Sequence, residues 1–215
     1  MSHVVLKLRK GDKVKYISHL DLVRAFELAL RRARIPVAYS SGFNPRPRMS
    51  FGPAVGVGVT SDDERIALEL ASPENPSEIR ERLNSQLPDG LEVLSAEAAG
   101  GSPMSGLNAS RFQVTLACGG ECDPAAVGRA VEELMKSAEV RVVRTRDVGT
   151  KEVDIRPFLL EADVVECSER SALVDVSLRL GNAGGARPQD FVQALLRLVP
   201  NFSVRKIRRL RQFHA

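Results

Sequence analysis

Three short segments of this sequence carry residue types that could do chemistry. The first is Ser18-His19-Leu20-Asp21. Ser18 followed three residues later by Asp21 is a variant of the capping box, which satisfies orphan amides where a helix starts. His19 then falls in the first turn, as a ring able to accept or donate a proton, and is the candidate general acid or base. The second segment is Ser40-Ser41-Gly42-Phe43-Asn44-Pro45-Arg46-Pro47-Arg48. Pro45 and Pro47 bias Asn44 and Arg46 toward extended backbone, so Arg46 and Arg48 project to similar sides of a stiffened loop. Pre-set arginines lose less entropy when they clamp a phosphate or carboxylate. Gly42 permits an unusual backbone angle beside Phe43, whose ring either stacks on a base or plugs the core. The third is Lys151-Glu152-Val153-Asp154-Ile155-Arg156-Pro157. Strand alternation there would put Glu152, Asp154 and Arg156 on one face, as an internal ion-pair cluster or as a polar patch facing a cleft.

Other chemistries are excluded by what is missing. Cys118 and Cys122 have the spacing that opens an iron–sulfur CxxxCxxC motif, but Ala125 stands where the third thiolate should be. Zinc would need a fourth ligand beside three scattered cysteines, with His3, His19 and His214 far off in sequence. No phosphate loop, no G-x-S-x-G elbow and no HExxH motif occur, and Gly56-Val57-Gly58 lacks the third glycine of a dinucleotide fingerprint. No metal or cofactor is therefore expected on this chain. With no Trp and 5% aromatics, a site that stacks bases must use few rings.

Charge is segregated along the chain. The net +4 combines +8 over residues 1–60 and +6 over residues 191–215, so the stretch between them carries −10. Two basic ends point to a polyanionic partner, nucleic acid foremost and an acidic protein surface next. Arg24 and Arg31 on the first helix, the loop residues Phe43, Asn44, Arg46 and Arg48, and Arg208 and Arg211 near the C-terminus are the candidate contacts. Glu27 stands four residues before Arg31 for an ion pair.

These residues must be held by a scaffold of ordinary size. The 215 residues, 43% hydrophobic, suffice for two domains of about 100 residues. No stretch approaches the roughly 20 apolar residues of a membrane span, no secretory leader opens the chain, and three cysteines fit a reducing compartment, so a cytoplasmic protein is expected. Gly100 to Gly106 reads as a linker. It separates residues 1–99 from residues 107–215. The first half reads as strand 4–9, helix 20–34 with Val23, Phe26, Leu30 and Ala33 on one face, strand 55–60 in a hairpin with strand 65–70, helix from 76, and strand 91–96. The second half repeats that order with strands at 112–118, 140–144, 159–165, 173–180 and 203–210 and helices at 123–136 and 187–198. The expectation is an α+β protein of two tandem ferredoxin-like βαββαβ domains.

Lys15 to Asp21, Gly42 to Pro47, Lys151 to Pro157 and Gly185-Ala186-Arg187-Pro188, in that order, resemble the radical-SAM-associated proteins of unassigned function. Those proteins occur alone or fused behind cobalamin-binding radical-SAM domains. The resemblance spans nearly the whole chain and implies a companion radical-SAM enzyme that carries the cluster and cofactor. It also tilts the substrate toward RNA. His19, Asp21, Lys151, Asp154, Arg156 and Arg187, which belong to these motifs, are candidates for a cleft or partner surface. The leading reading is a noncatalytic accessory protein that binds tRNA or rRNA and presents it to the modification enzyme. Its alternatives are a metal-independent endoribonuclease, with His19 as acid or base and Arg46 or Lys151 as transition-state stabiliser, and a protein-only adaptor. Oligomeric state is not legible.

Overall fold

Alternation at the N-terminus becomes β1 (Ser2–Lys10), which turns Val4, Leu6 and Leu8 inward. The structure, a computed structural model, describes residues 2–100, 104, 106–120, 123–146, 149–180 and 184–215. Two units divide the α+β chain, Met1–Leu107 and Asn108–Ala215. Much of the expected linker, and Cys122, lie outside the described residues.

In the first unit, β1 is followed by α1 (His19–Arg32), β2 (Met49–Phe51), β3 (Thr60–Leu70), α2 (Pro76–Asn84) and β4 (Leu91–Ala99). Strand β1 pairs antiparallel with both β3 and β4, and β2 pairs antiparallel with the other edge of β3. The order is therefore β4-β1-β3-β2. Phe26 and Leu30 of α1, Ile79 and Leu83 of α2, and Ile66, Leu68 and Leu70 of β3 close a core with β1. Each such side chain contributes roughly 1.5–3 kcal/mol by leaving water.

Three local expectations are corrected here. The buried stripe of α1 is Leu22, Phe26, Ala29 and Leu30, with Val23 only half-buried. The helix ends at Arg32 rather than Arg34, because Arg34 adopts the left-handed φ of 52° and the Arg82 guanidinium takes the carbonyls of Ala33 and Arg34. The partner of residues 65–70 is β2, not residues 55–60. Gly58, at φ 84°, breaks any strand there, and its amide donates to the Lys15 carbonyl at 2.8 Å instead of to β3.

The second unit runs β5 (Ala109–Cys118), α3 (Pro124–Lys136), β6 (Arg141–Arg146), β7 (Gly149–Asp154), β8 (Leu159–Cys167), β9 (Ser171–Arg179), α4 (Pro188–Leu198) and β10 (Phe202–Phe213). Its main sheet has the order β10-β5-β9-β8, every neighbour antiparallel. Strand β6, expected from sequence at 140–144, forms a separate hairpin with β7. Helix α4 fixes that hairpin. The Gln193 amide exchanges hydrogen bonds with the Val143 backbone at 2.9 and 3.3 Å, and Arg197 donates to the Arg141 carbonyl at 2.8 Å.

Candidate functional site

The capping box at α1 forms in both directions. The Asp21 amide donates to Ser18 Oγ at 3.1 Å, and the Ser18 amide and hydroxyl donate to Asp21 Oδ2 at 3.3 and 2.7 Å. Those bonds, the hydroxyl's first, hold the Asp21 carboxyl below its ordinary range. His19 is exposed and makes no hydrogen bond among the described residues; its ring stands edge-on to Phe51, with centroids 5.1 Å apart. Beside it lies an apolar surface the sequence reading missed. Tyr16 and Leu20 are 72% and 65% exposed, and the Lys15 ammonium sits 5.3 Å from the Tyr16 ring. Arg24 pairs with Asp21 at 3.5 Å, whereas the expected Glu27–Arg31 pair is not among the ion pairs of the described residues. Arg31 is simply exposed.

The Pro-rich loop is braced at its base. Tyr39 and Pro47 form a β-bridge, the Ser40 amide donates to the Arg46 carbonyl at 2.9 Å, and the Arg46 amide donates to Ser40 Oγ at 3.0 Å. The Arg48 amide donates to the Ala38 carbonyl at 2.7 Å. Gly42 turns the tip with φ 131°, which an L side chain rarely adopts. Phe43 is fully exposed there, so the ring does not plug the core. Asn44 and Arg46 are exposed beside it, and Arg46 has no ion pair among the described residues. Arg48 is different. Its guanidinium reaches both Glu69 oxygens, at 3.2 and 3.3 Å, and is already neutralised.

In β10, two bulges leave Arg205 and Leu210 unmatched against β5. The second bulge puts Arg208 and Arg211 on one face, opposite Gln113 and Arg111, although a spacing of three would separate them on a regular strand. Both are exposed, and the Arg211 guanidinium lies 5.3 Å from the Phe213 ring. Arg209, by contrast, is fully buried.

Residues 151–157 do not form one alternating face. Strand β7 stops at Asp154, Ile155 turns helical, and Pro157 lies in a short 3-10 turn, so Arg156 swings toward the end of α3. Its guanidinium donates to the carbonyls of Met135, Ser137 and Leu159 at 2.7, 3.1 and 3.2 Å. It thus caps orphan carbonyls rather than pairing with Glu152 or Asp154. Asp154 accepts the amides of Val140 and Arg156 at 2.8 and 3.0 Å. Lys151 is exposed and, with Arg144, Thr150, Phe158, Gly184 and Gly185, lines a cavity of about 420 Å³. Arg187 is exposed as the N-cap of α4. The third and fourth sequence motifs therefore meet around this cavity. Arg144 and Phe158 escaped the sequence reading because a lone Arg in a strand and a lone Phe after a proline carry no pattern.

Among the described residues, no group of three or more His, Cys, Asp or Glu side chains gathers to hold a metal ion. Cys118 is disulfide-bonded, and Cys167 is a half-buried thiol outside any disulfide. No described helix is long and apolar enough to cross a membrane.

Residues 3–188 match the family described as an uncharacterized protein conserved in bacteria. The chain belongs to that family, DUF2344. All four motifs lie inside the matched region, and β10 lies beyond it. No curated protein matches this DUF2344 chain. Among solved structures it is similar to a chain of a Cbf5–Nop10–Gar1 complex, with a TM-score of 0.56 and 12% identity over 97% of this chain and 48% of that one. It is likewise similar to a chain of an H/ACA RNP bound to a substrate RNA containing 2′-deoxyuridine, with a TM-score of 0.52 and 11% identity over 97% and 47%. A third is a chain of an archaeal box H/ACA sRNP Nop10–Cbf5 complex, with a TM-score of 0.50 and 12% identity over 96% and 46%. The DUF2344 chain spans about half the length of these relatives, and at such identities the likeness is one of fold.

Proposed function

We propose that this DUF2344 protein is a noncatalytic accessory protein that binds RNA, of the tRNA or rRNA class, and presents it to a radical-SAM modification enzyme. The observation that carries the reading is the braced loop, which holds a fully exposed Phe43 beside the exposed, unpaired Arg46. A ring for stacking next to a cation for phosphate is the equipment of single-strand recognition. The exposed Tyr16 offers a second ring in the same unit, although its neighbouring cation, Lys15, is paired with Asp12 at 3.3 Å. The fold accords with it, since two of the similar chains come from H/ACA ribonucleoproteins, one of them bound to a substrate RNA. We read each unit as a ferredoxin-like domain, on the shared fourth-first-third-second strand order, with the β6–β7 hairpin as an insertion in the second. The radical-SAM partner rests on the four-motif resemblance.

Binding of tRNA and rRNA fragments across a salt series tests the reading. Arg46→Ala should weaken binding of every sequence and shallow the log K against log salt slope by about 0.7, the value of one phosphate contact on a single strand. An unchanged slope would remove Arg46 from the interface. In the same incubations the purified protein should leave the RNA intact, because among the described residues His19 has no hydrogen-bonded partner to orient it or to share proton transfer. Site-specific cleavage by wild type, lost in His19→Ala, would replace the accessory role with that of an endoribonuclease.

A further inference from the structure

The β6–β7 register sets Arg144 directly opposite Lys151. Like charges facing one another across an antiparallel pair destabilise it. One of the two is braced from behind. Asp190 accepts from Arg144 Nε at 3.2 Å and from Nη2 at 2.7 Å, and Nη2 also donates to the Gly185 carbonyl at 2.6 Å. Three bonds fix the guanidinium plane, and both N–H groups of Nη1 are left without a partner among the described residues. The Lys151 ammonium has no hydrogen bond or ion pair among them either. Lys151 shares its hairpin face with Val142, Arg144 and Val153, and Val142 is fully buried, so this face is the inward one.

That face looks into the 420 Å³ cavity, which Phe158, Gly184 and Gly185 line from outside the hairpin. Gly184 has φ 135°, and a Cβ there would lie 2.9 Å from Phe158 Cζ. The glycine backbone is thus seated on the ring, and any larger residue would push the ring into the cavity. The cavity falls in the range of small-molecule sites, roughly 300–1,000 Å³, and is too large for a bare oxyanion.

We propose that this cavity is a binding site for a nucleoside monophosphate, with the phosphate between Arg144 Nη1 and Lys151 Nζ and the base against Phe158. Two cations on separate stems, together offering five N–H donors, suit the three terminal oxygens of a phosphate dianion better than the two of a carboxylate. Because Asp190 compensates only one of the two positive charges, the Arg144–Lys151 pair carries an excess that a phosphate offsets. The site lies within the second unit and does not rest on the RNA reading.

Calorimetric titration of the full chain with AMP should show saturable one-to-one binding. Adenosine, without the phosphate, should bind at least about tenfold more weakly, and Lys151→Ala should cost AMP about tenfold or more, as expected for charge-assisted hydrogen bonds. Lys151 is exposed and has no ion pair among the described residues, so its variant, relieved of the repulsion with Arg144, should melt no lower than wild type, and a loss of binding then reports on the site. Arg144→Lys, which retains the charge but not the fork, should also weaken AMP. The proposal is overturned if wild type fails to bind AMP, if adenosine binds as tightly as AMP, or if Lys151→Ala binds AMP unchanged.

Discussion

Replacing Asp190 with alanine lowers stability by about 3 kcal/mol, the low end of the cost of leaving one member of a buried ion pair alone. Asp190 and Arg144 have side chains only 8% and 16% exposed, so the stranded guanidinium would stay poorly solvated. The same carboxylate also accepts the Arg187 amide at 2.7 Å, and losing it uncaps α4. Asp190→Asn should cost less, since the amide oxygen still accepts one bond. Glu132→Ala provides the contrast. Its i,i+4 partner Lys136 is 77% exposed and Glu132 itself 69%, so the midpoint should barely move. Urea midpoints of the three variants check this ordering. An unmoved midpoint in Asp190→Ala would show that the pair does not hold the hairpin, and would undermine the fixed guanidinium on which the nucleotide site depends.

The second large effect is on RNA, and it should come without any loss of stability. Phe43 is fully exposed, so Phe43→Ala forfeits no burial and should leave the melting temperature unchanged. A base stacked on that ring contributes about 1–3 kcal/mol, so affinity for single-stranded RNA should fall roughly 5- to 150-fold. Phe43→Tyr, which keeps the ring face, should bind nearly as wild type. Anisotropy titrations at fixed salt separate this loss from the electrostatic one in Arg46→Ala. Full affinity in Phe43→Ala would mean the loop tip is not a stacking platform.

Most helices and strands were legible because their signals are local. In β1 the alternation of Val4, Leu6 and Leu8 with polar residues fixes the face as well as the element, since a strand has only two faces. The cap of α1 was legible, because Ser18 and Asp21 bond each other across one turn. Its stripe was placed one residue off, since Leu22 and Val23 both suit a periodic apolar face and only the packed core chooses between them. The hairpin error has the same root. Residues 55–60 carry the apolar content of a strand, but strand pairing is a contest between segments, and the Gly58 amide bonds the Lys15 carbonyl rather than β3.

For the candidate sites the division follows the range of the forces involved. The sequence by itself determined the two basic ends, the stiff Pro-rich loop, the helix cap, the helices and most of the strands, because dihedral preferences and neighbour contacts act over a few residues. Only the tertiary structure decided which cations stay open. Arg46 and Arg48 look alike in sequence, yet Glu69, 21 residues away, neutralises Arg48 alone. Arg208 and Arg211 share a face only because Leu210 bulges against β5. Arg156, read as part of a charged face, is consumed by carbonyls at the end of α3. Arg144 becomes a fixed donor only through Asp190, 46 residues on. Electrostatic and hydrogen-bond partners are chosen by distance in space, and the chain brings those partners together only when it folds.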